Sequence, residues 1–298
     1  MVRLVALFCW ATGAVLDVAL GAYRSSELTL VGPLWEHLQR TDIVLADRFY
    51  CTYVVLSEVL TRGCDAVFRL HGGRSRTMDF RQGKRLGPDD RRMTWDRPTV
   101  CPRGLSHPQW MSLPEHLTIR VLRFTTAVAG FRSRTIVVAT TLLDPVAYPR
   151  EQIAALYGDR WLVELRLRDI KTTMQMDVLR GKSPDVVRKE ILMHLLAYNL
   201  IRALMWQAAQ QHGRPLHRLS FAGTVEHLNA LAPYLWVYAG TRQSGRVYAL
   251  LLEWIAHDTL PYRPGRLEPR AVKRRPKEYD RLNKPRQELR QALLRKTG

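Results

Sequence analysis

The chain has 298 residues, with 46 lysines and arginines against 27 aspartates and glutamates, so its formal net charge is +19. Because 46% of the residues are apolar, the chain can bury a core, and its composition excludes a wholly disordered protein. The excess of positive charge predicts a polyanionic partner, either nucleic acid or an anionic membrane surface.

The N-terminal 22 residues are mostly apolar and admit two interpretations. A signal peptide would begin with a basic residue and an apolar run, but Asp17 interrupts that run. A β-hairpin explains the segment better, with strands at residues 2–10 and 14–20 and a turn at residues 11–13. No apolar stretch reaches the length of about 18 residues that spans a bilayer. Because the cysteines also form no CxxC pair, we expect a soluble, cytoplasmic protein without a membrane partner.

The segment that follows alternates helix and strand signals. Apolar residues recur at helical spacing over residues 25–40, and residues 42–46 form a short buried strand that ends at Asp47. A second helix is predicted at residues 52–61 and a further strand at residues 66–70. This order favours an α/β fold with a mixed sheet flanked by helices, in which functional groups lie at strand ends.

The middle of the chain is rich in glycine, proline and arginine, and it then becomes β-rich. Strands are predicted at residues 117–124 and 135–141, with a hairpin connection at residues 130–133. From residue 149 onward the periodicity is helical, with segments at residues 150–173, 186–211, 217–231 and 247–257. The predicted organisation is a first part of the core at residues 1–70, a β-rich insertion at 71–145, a helical completion of the core at 146–211 and a helical, basic C-terminal region at 212–298.

Four polar side chains share one face of the first long C-terminal helix. Tyr157, Arg160, Glu164 and Lys171 are spaced by 3, 4 and 7 residues, which places them in one stripe at 3.6 residues per turn. Such a stripe suits work on phosphates, because Glu164 can ligate a divalent cation while Arg160 and Lys171 contact phosphate oxygens. The alternative is a solvated helix face on which Glu164 pairs with Arg168.

Asp47 is the second acid of interest. Taken singly, it would be a turn or cap residue, but an α/β sheet also presents catalytic acids at the end of a buried strand. With Glu164 it would supply half of an oxygen cage for Mg²⁺.

The stripe matches the Y-(2)-R-(3)-E-(6)-K signature of the insertion-sequence-4 family of bacterial DDE transposases, which the chain resembles over nearly its whole length. Other similar segments lie at residues 12–17, 45–49, 197–202 and 269–277. The resemblance implies an RNase H-like core interrupted by a β-rich insertion, and it implies two Mg²⁺ or Mn²⁺ ions that activate water and then a DNA 3′-hydroxyl. It makes Asp47 and Glu164 the catalytic metal ligands, and Tyr157, Arg160 and Lys171 the residues that grip DNA phosphates.

The resemblance also implies partners: transposon inverted repeats, target DNA and a second copy of the chain in a synaptic complex on the bacterial nucleoid. Trp95 is a candidate for stacking on a flipped base, with Trp110 as its competitor and a small-core anchor as the alternative for either. Lys273, Arg274 and Arg275 lie in the basic tail, where they would contact DNA or form a solvated patch.

One acid of the family's triad has no counterpart in the sequence. The first catalytic Asp belongs to a strand that precedes the predicted hairpin, and Asp17 matches a later strand, so it is a poor substitute. We therefore expect an N-terminally truncated transposase that is catalytically incomplete. The alternative is a non-catalytic nucleic-acid-binding remnant or domesticated protein.

Overall fold

The N-terminal segment forms the predicted hairpin. The structure is a computed structural model that describes residues 2–102, 104–126, 134–261 and 285–295. Strands β1 (Val2–Phe8) and β2 (Val15–Ala22) pair antiparallel, and Gly13 takes a φ of +75° in the turn between them. Val5 packs into the core of the main sheet, whereas Val15 packs with the C-terminal helices, so the hairpin is held on both faces.

A six-stranded sheet forms the centre of the fold. Its strands run in the order β3-β4-β8-β7-β6-β5, and their bounds are β3 (Ile43–Ala46), β4 (Asp65–Arg69), β5 (Lys84–Gly87), β6 (Asp90–Asp96), β7 (His116–Thr126) and β8 (Arg134–Thr140). Strands β3 and β4 are parallel, and the other neighbours are antiparallel. The predicted β-rich segment therefore extends the same sheet that carries Asp47. The hairpin strands β1 and β2 form a separate two-stranded sheet.

Helices cover both faces of the six-stranded sheet. Helix α2 (Tyr53–Thr61) packs on one face, where its Leu56 meets Phe68 of the sheet in a shared apolar cluster. Helix α5 (Arg150–Asp159) packs on the other face through Ile153. The predicted α/β class is thus confirmed as a mixed sheet with helices on its two faces.

The predicted helix at residues 25–40 is wrong over most of its length. A short α1 (Glu27–Val31) is followed by a 3₁₀ segment, Gly32–His37. Pro33 lies at the start of that segment, where its ring and its missing N–H prevent the α-helical hydrogen-bond ladder from continuing. The two remaining short helices of this half are α3 (Gly72–Thr77) and α4 (His107–Met111).

The long helix predicted at residues 150–173 is also divided. Helix α5 ends at Asp159, α6 (Trp161–Arg168) follows after Arg160, and a π-helical turn, Asp169–Thr173, comes last. Gly158 and Asp159 have low helix propensity, which favours a break at this point. Arg160 keeps right-handed helical dihedral angles, so α5 and α6 remain linked by one tight turn.

The C-terminal half is helical, as predicted. Helices α7 (Pro184–Gln211), α8 (Phe221–Val237) and α9 (Arg242–His257) enclose a second apolar core. Helix α10 (Arg286–Leu294) belongs to a second compact unit and is described by itself. Among the residues with described structure, no helix is long and apolar enough to cross a membrane.

A buried arginine on β7 forms an ion pair with β6 and also binds the segment that leads into α5. Arg120 is fully buried, and its Nε and Nη2 atoms donate to the two carboxylate oxygens of Asp90 at 2.9 and 2.6 Å. Its Nη1 atom donates to the carbonyl oxygens of Leu142, Asp144 and Tyr148 at 3.4, 3.3 and 2.7 Å. Arg120 thus fixes the loop from which α5 begins.

Candidate active site

Asp47 lies directly after β3, at the carboxyl end of the predicted strand. Its Oδ1 atom accepts a hydrogen bond of 2.7 Å from the backbone N–H of Phe49, which closes a local turn. The side chain is half-buried. Asp47 therefore has the turn role considered from the sequence, and this bond engages only one of its two carboxylate oxygens.

Arg69 lies at the same edge of the sheet and is a residue that sequence analysis missed. It ends β4, and because Ala46 pairs with Phe68 in the parallel register, Asp47 and Arg69 leave the sheet side by side. The signal for Arg69 was its position near the end of a predicted strand parallel to the one that Asp47 follows.

Tyr157 is in the last turn of α5, and its side chain is only 6% exposed. The ring packs with Val67 and Leu122 of the sheet. Burial raises the pKa of Tyr157, and the positive charges of Arg160 and Arg69 partly offset this effect. A DNA contact by Tyr157 stays a prediction, and the packing makes this residue an anchor for the helix end that precedes Arg160.

Arg160 and Glu164 form an ion pair one helical turn apart. The distance from Nη2 of Arg160 to Oε1 of Glu164 is 2.8 Å, and the two side chains are 25% and 42% exposed. The solvated-face alternative predicted a pair between Glu164 and Arg168, but Arg168 instead lies 3.9 Å from Asp169. The acid of the stripe is therefore held by the arginine that precedes it.

Asp47 acts on the same arginine. Burial lowers the pKa of Arg160, but the hydrogen bond to Glu164 and the negative charges of Glu164 and Asp47, together with the Tyr157 phenol, more than offset this, so its pKa is raised. Asp47, Arg160 and Glu164 together form the acid cluster. Its two carboxylates come from the end of β3 and from α6, and the field of both falls on one guanidinium group.

Lys171 lies farther along, on the π-helical turn, and its side chain is exposed. It has no ion pair with any acid in the described ranges. The pair between Arg160 and Glu164 agrees with the predicted stripe. Tyr157, however, is buried against the sheet, and Lys171 lies in a π-helical turn that the 3.6-residue period does not predict.

A further acid approaches Asp47 through Tyr50. Burial raises the pKa of Tyr50, and the charges of Glu27 and Asp47 raise it further. Glu27 also lies 3.8 Å from Arg3 of the hairpin. Glu27 was not singled out from the sequence, because its proximity to Tyr50 depends on how α1 packs, whereas Tyr50 is only three residues after Asp47.

The acid cluster fits a divalent cation in its donor type. Carboxylate oxygens are the ligands that Mg²⁺ and Mn²⁺ prefer, and Mg²⁺ is commonly held by one or two carboxylates with water and substrate phosphate completing its shell. Within the described ranges, no group of three or more acidic, histidine or cysteine side chains is arranged to hold a metal ion. Asp47 and Glu164 thus offer oxygen donors of a suitable type, but the described residues form no complete metal site.

The two candidate tryptophans differ in accessibility. Trp110 is buried at 3% exposure and packs edge-on against Tyr53, as expected of a small-core anchor. Trp95 on β6 is half-buried, and the Arg74 guanidinium lies 4.7 Å from its ring centroid. Base stacking by Trp95 stays a prediction, and it would require Arg74 to move or to share the ring.

Several predicted features lie outside the described residues. They are the basic residues Lys273, Arg274 and Arg275 and the hairpin connection at residues 130–133.

Comparison with known proteins identifies transposases of insertion sequence elements as relatives. The family model for the transposase DDE domain matches residues 1–200. The chain is 27% identical over 267 residues to the transposase InsG for insertion sequence element IS4 of Escherichia coli K12, covering 88% of this chain and 57% of that protein. Two further relatives match over a shorter stretch of 65 residues, each with 37% identity. They are the transposase for insertion sequence element IS421 of Escherichia coli and the putative transposase InsL for insertion sequence element IS186A of strain K12. The stretch covers 22% of this chain and 18% of each relative. The chain thus spans little more than half of InsG.

Proposed function

This chain belongs to the transposase DDE-domain family, as its sequence resemblance predicted, and we propose that it binds transposon ends and cleaves and rejoins DNA there with divalent metal ions. The observation that carries this proposal is the acid cluster. Glu164 pairs with Arg160 at 2.8 Å, and Asp47, which directly follows β3 at the carboxyl end of that strand, adds its negative charge to the causes that raise the pKa of the same arginine. Catalytic groups in α/β folds lie at the carboxyl edge of the sheet.

Asp47 and the four residues of the stripe have separate roles. Asp47 and Glu164 hold Mg²⁺ or Mn²⁺, which when bound activates water or a DNA 3′-hydroxyl and stabilises charge on the reacting oxygens. Arg160 holds the Glu164 carboxylate at 2.8 Å and can turn its guanidinium to a DNA phosphate, a ligand that suits its planar donors. Lys171 offers an exposed cation to the next phosphates, and Tyr157 anchors the turn that carries Arg160.

The finer architecture and the partners are part of the same proposal. We assign the central sheet and its flanking helices to an RNase H-like core, with residues 71–145 as its β-rich insertion. The DNA partners are the inverted repeats and the target, the second protein partner is another copy of the chain, and the place of action is the bacterial nucleoid.

The test is cleavage of a labelled duplex that carries the inverted-repeat end of the encoding element, in Mg²⁺ and in Mn²⁺. Asp47→Asn and Glu164→Gln should each lower the rate by on the order of 100-fold or more, because each removes a metal ligand. Glu151→Gln is the matched control, since Glu151 is an exposed acid of α5 outside the cluster and its variant should cleave at the parental rate. Retention of activity in Asp47→Asn or Glu164→Gln would contradict the assignment.

A non-catalytic DNA-binding protein is the second candidate function. The observation that favours it is the acid cluster itself, which has two carboxylates and, in the described ranges, no third ligand close enough to complete a metal-binding group. Specific binding of the end duplex without cleavage in either metal would support this candidate and count against catalysis.

A further inference from the structure

Side chains from α6 and α7 grip the main chain of the hairpin turn. Arg166 donates from Nη1 and Nη2 to the carbonyl oxygens of Cys9 and Trp10 at 3.1 and 2.7 Å. From α7, three further side chains bind the turn: Arg202 donates to the carbonyl of Thr12, Tyr198 donates to that of Gly13, and the Asn199 amide exchanges two bonds with Val15. These four side chains form the turn clamp.

The turn clamp contains two arginine side chains whose positive charges lie close together. Arg166 and Arg202 are each only 8% exposed, and burial lowers the pKa of both guanidinium groups. Neither forms an ion pair in the part of the chain that the structure describes. A Cβ atom on Gly13 would stand 2.7 Å from Nη2 of Arg202 and 2.9 Å from Nε of Arg166, so both guanidinium groups lie directly over this glycine. The Tyr198 phenol and the Asp169 carboxylate offset part of the effect of burial on both guanidinium groups, whose hydrogen bonds to the turn all end on neutral carbonyl oxygens.

Helix α6 is bound to the hairpin turn through Arg166. The helix has only two turns, and it is separated from α5 by the break at Arg160 and from α7 by the π-helical turn. Glu164 and Arg166 are two residues apart and so point about 200° apart around the helix axis. Glu164 is 42% exposed and pairs with Arg160, while Arg166 is buried against the hairpin turn.

We propose that Arg166 is a positioning residue, which fixes the rotation of α6 by binding the hairpin turn and so directs the Glu164 carboxylate toward Asp47 and Arg160. The role of Glu164 itself rests on the proposed function. The attachment of α6 to the turn does not, and it is measured separately.

The experiment uses the full chain labelled with 5-fluorotryptophan. Its eight tryptophans include Trp10 in the hairpin turn and Trp161 at the start of α6, so one fluorine reports on each side of the contact. The two ¹⁹F lines are assigned with Trp10→Phe and Trp161→Phe. In Arg166→Met, the Trp10 and Trp161 lines should shift or broaden while the other six stay in place, and Arg166→Lys should restore them only in part because lysine lacks the planar fork.

Arg168→Met is the matched control, because Arg168 lies on the same helix with its side chain 65% exposed, and its ion pair among the described residues is with Asp169 rather than with the turn. It should leave both lines and the cleavage rate unchanged. Arg166→Met should lower cleavage by on the order of 100-fold while binding of the end duplex stays within about twofold, since misplacing a reacting group by an ångström has effects of this size.

The outcomes separate the two hypotheses. An unchanged Trp161 line in Arg166→Met overturns the positioning role, and so does a change in all eight lines, which would mean a general loss of structure. Mn²⁺ should broaden the Trp161 line of the parental protein, and Glu164→Gln should weaken this effect. If Mn²⁺ has no effect in the parental protein, the proposed metal site fails, whereas the response of the Trp161 line to Arg166→Met still decides the positioning role.

Discussion

Replacing Arg120 with methionine should strongly destabilise the sheet, because it leaves Asp90 as an unpaired buried charge. The Asp90 side chain is 4% exposed and receives two charge-assisted hydrogen bonds from Arg120, at 2.9 and 2.6 Å. The substitution also removes the Nη1 group that donates hydrogen bonds to three carbonyl oxygens in the loop before α5. Breaking one side of a buried pair costs about 3–5 kcal/mol, a large part of the 5–15 kcal/mol that is typical of a whole domain.

The measurement is urea unfolding followed by tryptophan fluorescence, with the shift in the free energy of unfolding compared between variants. Arg123→Met is the control, because Arg123 lies on the same strand and pairs with Asp89, but its side chain is 44% exposed. An exposed pair contributes about 1 kcal/mol or less, so this variant should unfold close to the parental midpoint.

A double variant tests the reason for the loss. Arg120→Met combined with Asp90→Val replaces the pair with apolar side chains, and it should recover most of the stability because no buried charge remains. Two results would refute the reasoning: a loss under about 1 kcal/mol in Arg120→Met, or a double variant as unstable as the single one. Since the affected loop leads into α5, Arg120→Met should also weaken the anchoring of Tyr157 by the sheet.

Three further predictions concern separate features. Gly13→Ala should lower the free energy of unfolding by about 2 kcal/mol more than Gly213→Ala does. Both glycines have a positive φ, but only at Gly13 would the added Cβ meet side chains, so equal losses in the two variants would contradict this reasoning. Lys171→Gln should reduce the slope of log affinity for DNA against log salt by about 0.9, and an unchanged slope would exclude a phosphate contact. Burial raises the pKa of Cys51 to about 12, whereas at Cys9 local hydrogen bonds outweigh burial and lower the pKa. At pH 8 iodoacetamide should therefore modify Cys9 before Cys51, which mass spectrometry of the treated protein would show.

Local patterns predicted the elements that carry the candidate site. The strand before Asp47 and the helix after it were placed within a residue or two, because a short apolar run and a helical period identify them directly. The neighbourhood of Arg160 and Glu164 also follows from spacing alone, since one turn of helix separates them.

Features that depend on distant contacts were not predictable. Arg69 and Glu27 reach the site through strand pairing and packing, which a local pattern does not contain. The break at Arg160 was missed because the apolar period continues across it, although Gly158 was a local signal for it. The pairing of β1 with β2 was predicted from the turn between them, but strand signals alone do not tell whether the hairpin joins the main sheet.

The turn clamp has a consequence for how this sequence can diverge. Every hydrogen bond that it makes to the turn ends on a main-chain atom, so these bonds do not depend on which side chains stand at Cys9 and Trp10. The turn can therefore accept many substitutions at these positions while the attachment of α6 persists. Only Gly13, where any added atom would meet the guanidinium groups, is held to a single residue type.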